Sequence, residues 1–327
     1  MSDRSTPIPV NLITGFLGVG KTTAIGHLLA RVPSGERWAV LINEFGEVGV
    51  DAELLEGDGV AVRQVAGGCL CCVASQAFTV GLHQLIRQER PDRILIEPSG
   101  LGHPARVIDQ LSDAQYQGVL ALRAVVTLLD PRHLASQRHR EHVNWQDQIA
   151  LADVLVANKI DRCGDEAREA FVELAAGLHP ARGQVALVEY GAVDPVWLDR
   201  PHDARLVAGS PQAHHHRRDH HHGIERQDEA WLTIAGGGDG YHSCGWRFAP
   251  SLRFDAARLE QLLLSGAWER VKGVVATERG WVRLNRVAGE GGLVPCAAAT
   301  AGRLEIIDAV PIDAARLDAK LRRIAGY

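Results

Sequence analysis

The sequence predicts an α/β domain built on a mostly parallel sheet, followed by a smaller α+β domain. Over the first ~200 of its 327 residues, apolar β-branched runs alternate with helix-like segments, the pattern of a parallel sheet with covering helices. The runs are nearly continuous in apolar residues, as in strands buried on both faces. A histidine-rich stretch without apolar periodicity then interrupts the chain. We therefore expect domains at 1–206 and 230–327 joined by a linker at 207–229, since domains of ~100–200 residues are typical.

The predicted elements follow the chain in order. The first domain has seven predicted strands, at residues 9–15, 37–45, 60–65, 93–100, 123–130, 153–159 and 184–190. Its predicted helices are residues 22–32, 76–89 and 164–178. The second domain has predicted strands within 231–251, 271–289 and 302–310, and predicted helices at 255–266 and 312–326. In the last helix, one face is formed at i, i+4 and i+7 by Leu317, Leu321 and Ile324.

Composition is typical of a globular protein and excludes several functions. Hydrophobic residues make up 46% of the chain and charged residues 23%. A net charge of -5 argues against nucleic-acid binding, which needs a basic face. No apolar run approaches the ~18–20 residues of a membrane span, and the first residues lack a signal-peptide pattern. The six cysteines, partly clustered and without a secretion signal, favour metal binding or redox chemistry in the cytoplasm.

The segment GFLGVGKT (Gly15–Thr22) has the phosphate-loop pattern, with a predicted strand before it and a helix after it. Its glycines would let backbone N–H groups point at phosphate oxygens. Lys21 would supply a positive charge to the β- and γ-phosphates, and Thr22 a hydroxyl to Mg²⁺. The alternative, a glycine-rich turn with a solvated lysine, is disfavoured by the flanking strand and helix. The predicted site of this P-loop NTPase domain includes Gly15, Gly18, Val19, Gly20, Lys21, Thr22 and Thr23.

Two further motifs complete the predicted nucleotide site. NKID (Asn158–Asp161) follows a buried-looking strand, and the Asp161 carboxylate would accept two hydrogen bonds that guanine offers and adenine does not. On its own NKID is also compatible with a polar turn, but downstream of a phosphate loop it favours guanine. EPSG ends another strand, where Glu97 would hold Mg²⁺ through water and Gly100 would donate its N–H to the γ-phosphate. A helix cap is the alternative, and ordinary GTPases have Asp in place of Glu97.

The segment GGCLCC places three thiols within four positions. Three thiolates would hold Zn²⁺, Cu(I) or a similar metal and leave a fourth ligand position open, so we expect a metal site at Cys69, Cys71 and Cys72. Two alternatives stay open: Cys69 and Cys72 have the C-x-x-C spacing of a redox pair, and buried cysteines also serve in packing alone. Packing is the expected role of Cys163, Cys244 and Cys296.

Six histidines are concentrated in the predicted linker: His214, His215, His216, His220, His221 and His222. Neutral imidazoles at this density would recruit Zn²⁺, Ni²⁺ or Co²⁺. The alternatives are a solvated linker and a tag-like insertion.

The combination of motifs resembles the CobW-type P-loop GTPases, relatives of the nickel-insertion GTPases for urease and hydrogenase. The segments that carry the resemblance occur in that family's order: GFLGVGKTT, NEFGEVGVD, GGCLCC, EPSGLGHP, ADVLVANKID and a C-terminal RVKG…GWVRLN. The resemblance spans nearly the whole chain, with the histidine-rich segment as its variable part. GGCLCC is the specific element, because a phosphate loop alone admits many ATPases.

The resemblance implies a GTP-dependent metal chaperone with GTP, Mg²⁺ and a transition metal such as Zn²⁺ or Co²⁺. By motif, the residues that serve phosphate and Mg²⁺ would be Lys21, Thr22 and Glu97. The residues that bind guanine would be Asn158, Lys159 and Asp161. The residues that hold the metal would be Cys69, Cys71 and Cys72. The implied partner is a client metalloprotein of unknown identity, and a homo-oligomer is compatible with this role.

The resemblance also places the motif NEFGEVGVD in the first switch segment. Glu44 and Glu47 would lie there, near nucleotide or metal. Some family members have Glu where this chain has Ile42, which puts an additional metal ligand at that position in doubt. The thiols lie between this segment and Glu97, so contacts with the γ-phosphate would reshape the metal site.

Two other function classes remain open at the level of sequence. A non-catalytic zinc buffer would use the thiols and histidines but has no need of Lys21 and Asp161. A regulatory GTPase acting on a protein partner would use the thiols only in packing, and it leaves the histidine cluster unexplained. Metal-dependent GTP turnover separates the chaperone from both.

Overall fold

The computed structural model describes residues 6–45, 60–67, 72–209, 226–228, 230–238, 241–287 and 289–326. For residues 43–45, 60, 64–67, 72–76, 226–228 and 237–238 it describes the backbone alone. The contacts within the chain divide it into two compact units. In sequence, most of the first unit precedes the histidine-rich segment and most of the second unit follows it.

The first unit is built on a seven-stranded sheet that is mostly parallel, as predicted. Its strands are β1 (Ile8–Gly15), β2 (Trp38–Phe45), β3 (Val60–Gly67), β4 (Arg93–Glu97), β5 (Leu120–Leu129), β6 (Val154–Ala157) and β7 (Gln184–Leu187). They lie in the order β3-β2-β4-β1-β5-β6-β7, and the five pairs from β2 to β7 are parallel. The carboxyl ends of β1, β4, β5, β6 and β7 therefore meet at one edge, where ligands bind in such sheets.

Six helices accompany this sheet. They are α1 (Lys21–Leu29), α2 (Cys72–Glu89), α3 (Pro104–Leu111), α4 (Gln137–Arg140), α5 (Val143–Ala150) and α6 (Asp165–Ala176). The strands between them are covered on both faces: Val10, Leu12 and Ile13 of β1 have no exposed surface. This burial explains why the strands read as continuous apolar runs rather than alternating ones.

Three of the helices were not predicted from the sequence, and α2 begins four residues earlier than predicted. Helix α3 begins at Pro104, which fits the first helical position because that residue's N–H has no intrahelical partner anyway. Helix α4 has a single turn capped by the hydroxyl of Ser136. Helix α5 buries Asn144, Asp147 and Gln148, so it lacks the apolar period that the prediction depends on.

The second unit is an α+β unit with a seven-stranded antiparallel sheet. Its strands are β8 (Arg226–Asp228), β9 (Trp231–Gly238), β10 (Tyr241–Phe248), β11 (Arg270–Thr277), β12 (Gly280–Val287), β13 (Leu293–Pro295) and β14 (Gly302–Asp308). They lie in the order β13-β12-β11-β14-β10-β9-β8. Helices α7 (Ala256–Ser265) and α8 (Ala314–Ile324) pack on one face. Leu317 and Leu321 are buried and Ile324 is partly buried in this core, as their spacing predicted.

Two strands of the second sheet differ from the sequence prediction. Strand β13, three residues long, was not predicted. Strand β8 lies inside the segment 207–229 that was interpreted as a linker, and Arg226–Asp228 pair with Trp231–Thr233. The described part of the second sheet therefore begins at Arg226. No helix among the described residues is long and apolar enough to cross a membrane.

Candidate functional site

The loop between β1 and α1 has the backbone shape that a phosphate loop requires. Gly15, Gly18 and Gly20 have φ angles of 138°, 73° and 98°, where residues with a side chain are strained. A Cβ at Gly15 would lie 2.3 Å from the carbonyl oxygen of Leu128, and one at Gly20 would lie 2.6 Å from Nδ2 of Asn158. Only glycine fits these two positions without moving backbone or a buried side chain.

Lys21 is buried at the first position of α1, where its ammonium group closes the loop. The ammonium donates to the carbonyl oxygens of Gly15 at 3.0 Å and Phe16 at 3.2 Å. The loop after β4 comes close to the same group, since a Cβ at Gly100 would lie 3.0 Å from Nζ of Lys21 and 3.0 Å from the backbone nitrogen of Leu17. The phosphate loop and the EPSG loop are thus in direct contact at Lys21.

Thr22 and Glu97 form a pair of hard oxygen ligands beside Lys21. The Thr22 hydroxyl lies 3.1 and 3.2 Å from the two carboxylate oxygens of Glu97, and donates to them. Glu97 is buried at the carboxyl end of β4. A hydroxyl and a carboxylate are the oxygen types that Mg²⁺ takes in nucleotide sites, so this pair fits the predicted ion. Glu97 stands where ordinary GTPases have Asp, and its longer side chain reaches the Thr22 hydroxyl.

Two side chains of helix α5 form hydrogen bonds with the EPSG loop. The Gln148 side-chain amide donates to the carbonyl oxygen of Gly100 at 3.0 Å, and the Asn144 amide donates to the carbonyl oxygen of Leu101. Both amides are buried, so these bonds fix the loop without competition from water. Sequence reasoning missed these residues, although polar residues at helical spacing in a buried segment were a usable signal.

Asn158 of the NKID motif joins three loops of the site. Its side-chain N–H donates to the carbonyl oxygen of Val19 at 2.8 Å, and its side-chain oxygen accepts from the N–H of Gly191 at 2.9 Å. The side chain is buried at the carboxyl end of β6. Asn158 therefore positions the phosphate loop and the loop after β7.

Lys159 of the NKID motif lies beside a buried carboxylate that follows β5. Asp130 accepts two bonds from the Arg132 guanidinium, at 2.9 and 2.7 Å, and lies 3.5 Å from Nζ of Lys159. Burial raises the pKa of Asp130, but the Arg132 hydrogen bonds and nearby charges outweigh it and lower the pKa. Lys159 has a φ of 62°. The Asp161 side chain is 19% exposed, which leaves its carboxylate accessible.

The loop after β7 is a part of the site that sequence reasoning missed. Gly191 has a φ of 72°, and a Cβ there would lie 2.8 Å from the backbone nitrogen of Ala24 in α1. Tyr190 also has a positive φ, of 53°. The Tyr-Gly pair, whose Tyr190 ends the predicted strand 184–190, was the available signal for a tight turn.

A cluster of histidines supports Phe16 of the phosphate loop. His139 and His142 contact the Phe16 ring edge-on, with centroids 5.3 and 4.9 Å apart, and His133 stacks on His139 at 4.1 Å. Burial and the neighbouring His139 lower the pKa of His133 to about 4, so it is neutral at neutral pH. The described parts of the chain contain no group of three or more His, Cys, Asp or Glu residues that could hold a metal ion.

The phosphate loop, the EPSG loop and the NKID residues lie at one edge of a parallel sheet, and the family comparison is consistent with this arrangement. Residues 9–185 match the family model described as CobW/HypB/UreG, nucleotide-binding domain, which is more than half of the chain. The chain belongs to the CobW/HypB/UreG family. Its first unit has the P-loop NTPase fold, and the match ends inside β7.

Relatives of this CobW/HypB/UreG protein include named zinc chaperones. The zinc chaperone YeiR of Escherichia coli (strain K12) is 42% identical over 282 residues, which cover 84% of this chain and 85% of the relative. The zinc chaperone CobW of Pseudomonas aeruginosa is 32% identical over 242 residues, or 64% of each chain. The crystal structure of the Zn(II)-bound YjiA GTPase from E. coli is 21% identical, covers 97% of this chain and 99% of its own, and has a TM-score of 0.44.

Most of the predicted metal ligands lie outside the described residues. These are Cys69, Cys71, Glu47, His214, His215, His216, His220, His221 and His222. Cys72 is the first residue of α2 and Glu44 belongs to β2, but their side chains are not described. Cys163 and Cys244 are buried and Cys296 is half-buried.

Ile42 occupies the position at which some CobW-type proteins have Glu. It is 1% exposed in β2 and lies opposite Glu97 of β4 in the parallel register. An aliphatic side chain here packs against the sheet and supplies no metal ligand. A metal site near the end of β2 would therefore have no ligand from the side chain of residue 42.

Proposed function

We propose that this protein is a GTP-hydrolysing metal chaperone, which binds zinc at Cys69, Cys71 and Cys72 and transfers it to a client protein. The observation that carries the proposal is the meeting of the phosphate-loop, EPSG and NKID residues at one sheet edge, in a chain whose three-thiol motif ends at the first residue of α2. The identity to zinc chaperones, up to 42% among the relatives described, supports the zinc assignment.

In this proposal the nucleotide is positioned by Lys21, Thr22, Glu97 and Gly100. Lys21 carries the charge that neutralises the phosphate oxygens as the terminal phosphate is transferred to water. Mg²⁺, when bound, would be held by Thr22 and Glu97 and would supply further neutralisation of the phosphate charge. The protein's own contribution is positioning, because Asn158 and Gln148 fix the two loops that carry these groups.

Asp161 gives the site its preference for guanine. Its partly exposed carboxylate can accept from the ring N–H and the exocyclic amino group together, whereas adenine presents an acceptor at the ring position. Asp161→Asn should therefore erode the preference for GTP over ATP, measured as the ratio of the two dissociation constants. Equal affinity of the unaltered protein for both nucleotides would sink this assignment.

The metal site lies between two elements that can sense the γ-phosphate. Strand β2, with Glu44, precedes the thiols in the chain, and strand β4, which ends at Glu97, follows them after helix α2. Three soft thiolates suit Zn²⁺ or Co²⁺, and a fourth position left open would allow the metal to pass to the client.

The two alternatives predict different responses to metal. A zinc buffer would bind zinc without GTP turnover, and a regulatory GTPase would hydrolyse GTP at a rate independent of zinc. Turnover should be measured with and without Zn²⁺ in the unaltered protein, in the Cys69→Ser/Cys71→Ser/Cys72→Ser variant and in Cys296→Ser, whose half-buried thiol lies outside the motif.

The proposal expects zinc to change turnover in the unaltered protein and in Cys296→Ser, but not in the triple variant. Zinc-independent turnover in all three proteins would favour the regulatory GTPase. Zinc binding without turnover would favour the buffer.

A further inference from the structure

Helix α5 presents three buried polar side chains to the loop that follows β4. Asn144, Asp147 and Gln148 are spaced i, i+3 and i+4, which places them on one face of the helix. Each of them is 1% exposed. The two amides donate to loop carbonyl oxygens, and Gln148 also reaches the carbonyl oxygen of Gly102 at 3.5 Å. Asp147 lies in the same row and contacts the residue that follows Gly102.

Asp147 faces the imidazole of His103. Nδ1 of His103 lies 3.6 Å from a carboxylate oxygen of Asp147, and the two side chains are 4% and 2% exposed. This distance is slightly longer than a hydrogen bond, so the contact is electrostatic. Because water is excluded from both groups, their attraction is screened little. A nearby carboxylate favours a proton on Nδ1, so the contact is attractive whether the imidazole is neutral or charged.

The backbone of His103 is constrained by Pro104, which follows it. A residue before proline is restricted to extended conformations, and His103 has a φ of −87° and a ψ of 111°. His103 is the N-cap of α3, a position at which Ser, Thr, Asp or Asn usually bonds to the first turn. Within the described residues, the His103 side chain makes no such capping bond. Its imidazole instead meets α5.

Residues 100–103 are therefore all held by α5, three through their carbonyl oxygens and the fourth through its side chain. The helix is itself attached to the sheet, since the Thr127 hydroxyl of β5 donates to the carbonyl oxygen of Gln148 at 2.9 Å. Gly100 is the residue of this segment that meets the phosphate loop, because a Cβ there would lie 3.0 Å from Nζ of Lys21. The position of Gly100 beside the phosphate loop is thus set from α5.

We propose that His103 and Asp147 are positioning residues for the terminal phosphate of bound GTP. The inference rests on the proposed function, in which the N–H of Gly100 donates to the γ-phosphate. Such a hydrogen bond weakens steeply when donor and acceptor are misaligned. The amides of α5 fix one end of the segment 100–103, and the contact between His103 and Asp147 fixes the other end, where α3 begins. Neither side chain has to touch the nucleotide for this effect.

A positioning role differs from a purely structural one in its dependence on the nucleotide. GDP lacks the phosphate that Gly100 would contact, whereas a GTP analogue has it. Loss of the contact between His103 and Asp147 should therefore weaken binding of the analogue and leave GDP binding nearly unchanged. A merely structural contact would change the free energy of unfolding without separating the two nucleotides.

Another buried carboxylate–histidine pair in the same unit provides a matched control. Nδ1 of His202 lies 2.8 Å from a carboxylate oxygen of Asp153, and the side chains are 13% and 4% exposed. Asp153 directly precedes β6, so this pair lies at the amino end of the strand, and the nucleotide residues follow the carboxyl end. Removing the His202 imidazole tests the loss of such a pair away from the nucleotide.

The test is calorimetric titration of the full chain with GDP and with a non-hydrolysable GTP analogue, both with Mg²⁺, together with GTP turnover. The test variant is His103→Ala, and the control is His202→Ala. The rescue variant is His103→Asn, because an Asn amide offers a donor close to the position of Nδ1 and also suits a helix N-cap. If His103→Ala is unfolded at the assay temperature, Asp147→Asn, which keeps the shape of the side chain, takes its place with the same expected result.

We expect His103→Ala to weaken analogue binding about tenfold, to change GDP binding less than about twofold and to lower turnover about 10–100-fold. His103→Asn should restore most of the loss, and His202→Ala should leave the ratio of the two affinities unchanged. An unchanged ratio in His103→Ala, or the same change of ratio in His202→Ala, would overturn the proposal. Failure of the unaltered protein to bind the analogue would contradict the proposed function itself, so the two failures are distinguishable.

Discussion

Asn158 and Asp318 are both buried polar side chains at the centre of a hydrogen-bond network, one in each unit. The amide of Asn158 connects loops at the sheet edge where the nucleotide is proposed to bind. The carboxylate of Asp318 lies under the second sheet and connects helix α8 to strands β9 and β10. The first network faces a ligand site, and the second is enclosed in the core.

The network of Asp318 has a full set of donors. Its carboxylate accepts from Trp231 Nε1 at 2.7 Å, Thr233 Oγ1 at 2.7 Å, Trp246 Nε1 at 3.1 Å and Arg322 Nε at 2.9 Å. Burial raises the pKa of Asp318, but these four hydrogen bonds outweigh burial and lower it. The guanidinium of Arg322 also lies 4.5 Å from the Trp231 ring centroid.

The difference between the networks separates stability from function. In the core, satisfied donors and a satisfied carboxylate contribute to the free energy of unfolding. At the sheet edge, the same kind of bond sets the distance between loops that are proposed to hold the nucleotide. Substitutions around Asp318 should therefore change mainly the free energy of unfolding, and substitutions around Asn158 should also change nucleotide binding.

The largest expected effect is on the stability of the second unit. Asp318→Ala leaves two indole N–H groups, a hydroxyl and a guanidinium without their acceptor, and should cost about 3–5 kcal/mol of unfolding free energy. Denaturant unfolding, followed by tryptophan fluorescence, measures this loss. GTP turnover per folded molecule should stay the same, and a fall in turnover would break the proposed separation.

The contribution of Asp318 to the free energy of unfolding should change with pH in a defined direction. Because the pKa of Asp318 is lower in the folded chain, the carboxylate stabilises the fold above its ordinary pKa of 3.8, and this contribution is lost as pH falls through the folded pKa. The gap in unfolding free energy between the unaltered protein and Asp318→Asn should narrow below about pH 4. A gap that is constant between pH 7 and pH 3 would contradict the assigned pKa direction.

A loss of similar size, but in catalysis, is expected at the phosphate loop. Lys21→Ala removes the ammonium group that is proposed to neutralise the transferred phosphate, and should lower GTP turnover about 100–1,000-fold. The unfolding midpoint should fall less than in Asp318→Ala, since Lys21 makes two hydrogen bonds, both to carbonyl oxygens of the phosphate loop. Lys320→Ala, an exposed lysine on α8, is the matched control. Turnover that survives Lys21→Ala would remove this loop from the proposed active site.

The smallest effect, and the most informative for the comparison, is expected at Asn158. Asn158→Ala breaks the bonds to Val19 and Gly191, so it should weaken GTP binding about 10–100-fold and lower stability by about 1–3 kcal/mol. Calorimetric GTP titration measures the change in affinity, and denaturant unfolding measures the change in stability. A loss of stability with unchanged GTP affinity would make Asn158 a core residue like Asp318.

The sequence was sufficient to predict much of the first unit. All seven strands were predicted, because strands covered on both faces appear as continuous apolar runs. The glycines and the residues at strand ends were predicted from motifs whose spacing reflects chemistry. Lys21, Thr22, Glu97 and Asn158 indeed meet at one edge.

Features that depend on tertiary contacts could not be predicted. Helix α5 was missed because Asn144 and Gln148 face inward to hold the EPSG loop, which removes its apolar period. The roles of Cys69, Cys71 and the six linker histidines stay predictions, because these residues lie outside the described parts of the chain.

The central claim is that the nucleotide state controls metal affinity at the three thiols. The most direct measurement is a Co²⁺ titration followed by cobalt–thiolate absorption, in the presence of Mg²⁺ and either GDP or a non-hydrolysable GTP analogue. We expect about 5–150-fold tighter binding with the analogue, corresponding to a coupling of ~1–3 kcal/mol, and the same factor for the effect of metal on analogue affinity. Replacing the three cysteines with serine should abolish the absorption but leave GTP binding intact. Identical titration curves with GDP and the analogue would contradict the claim.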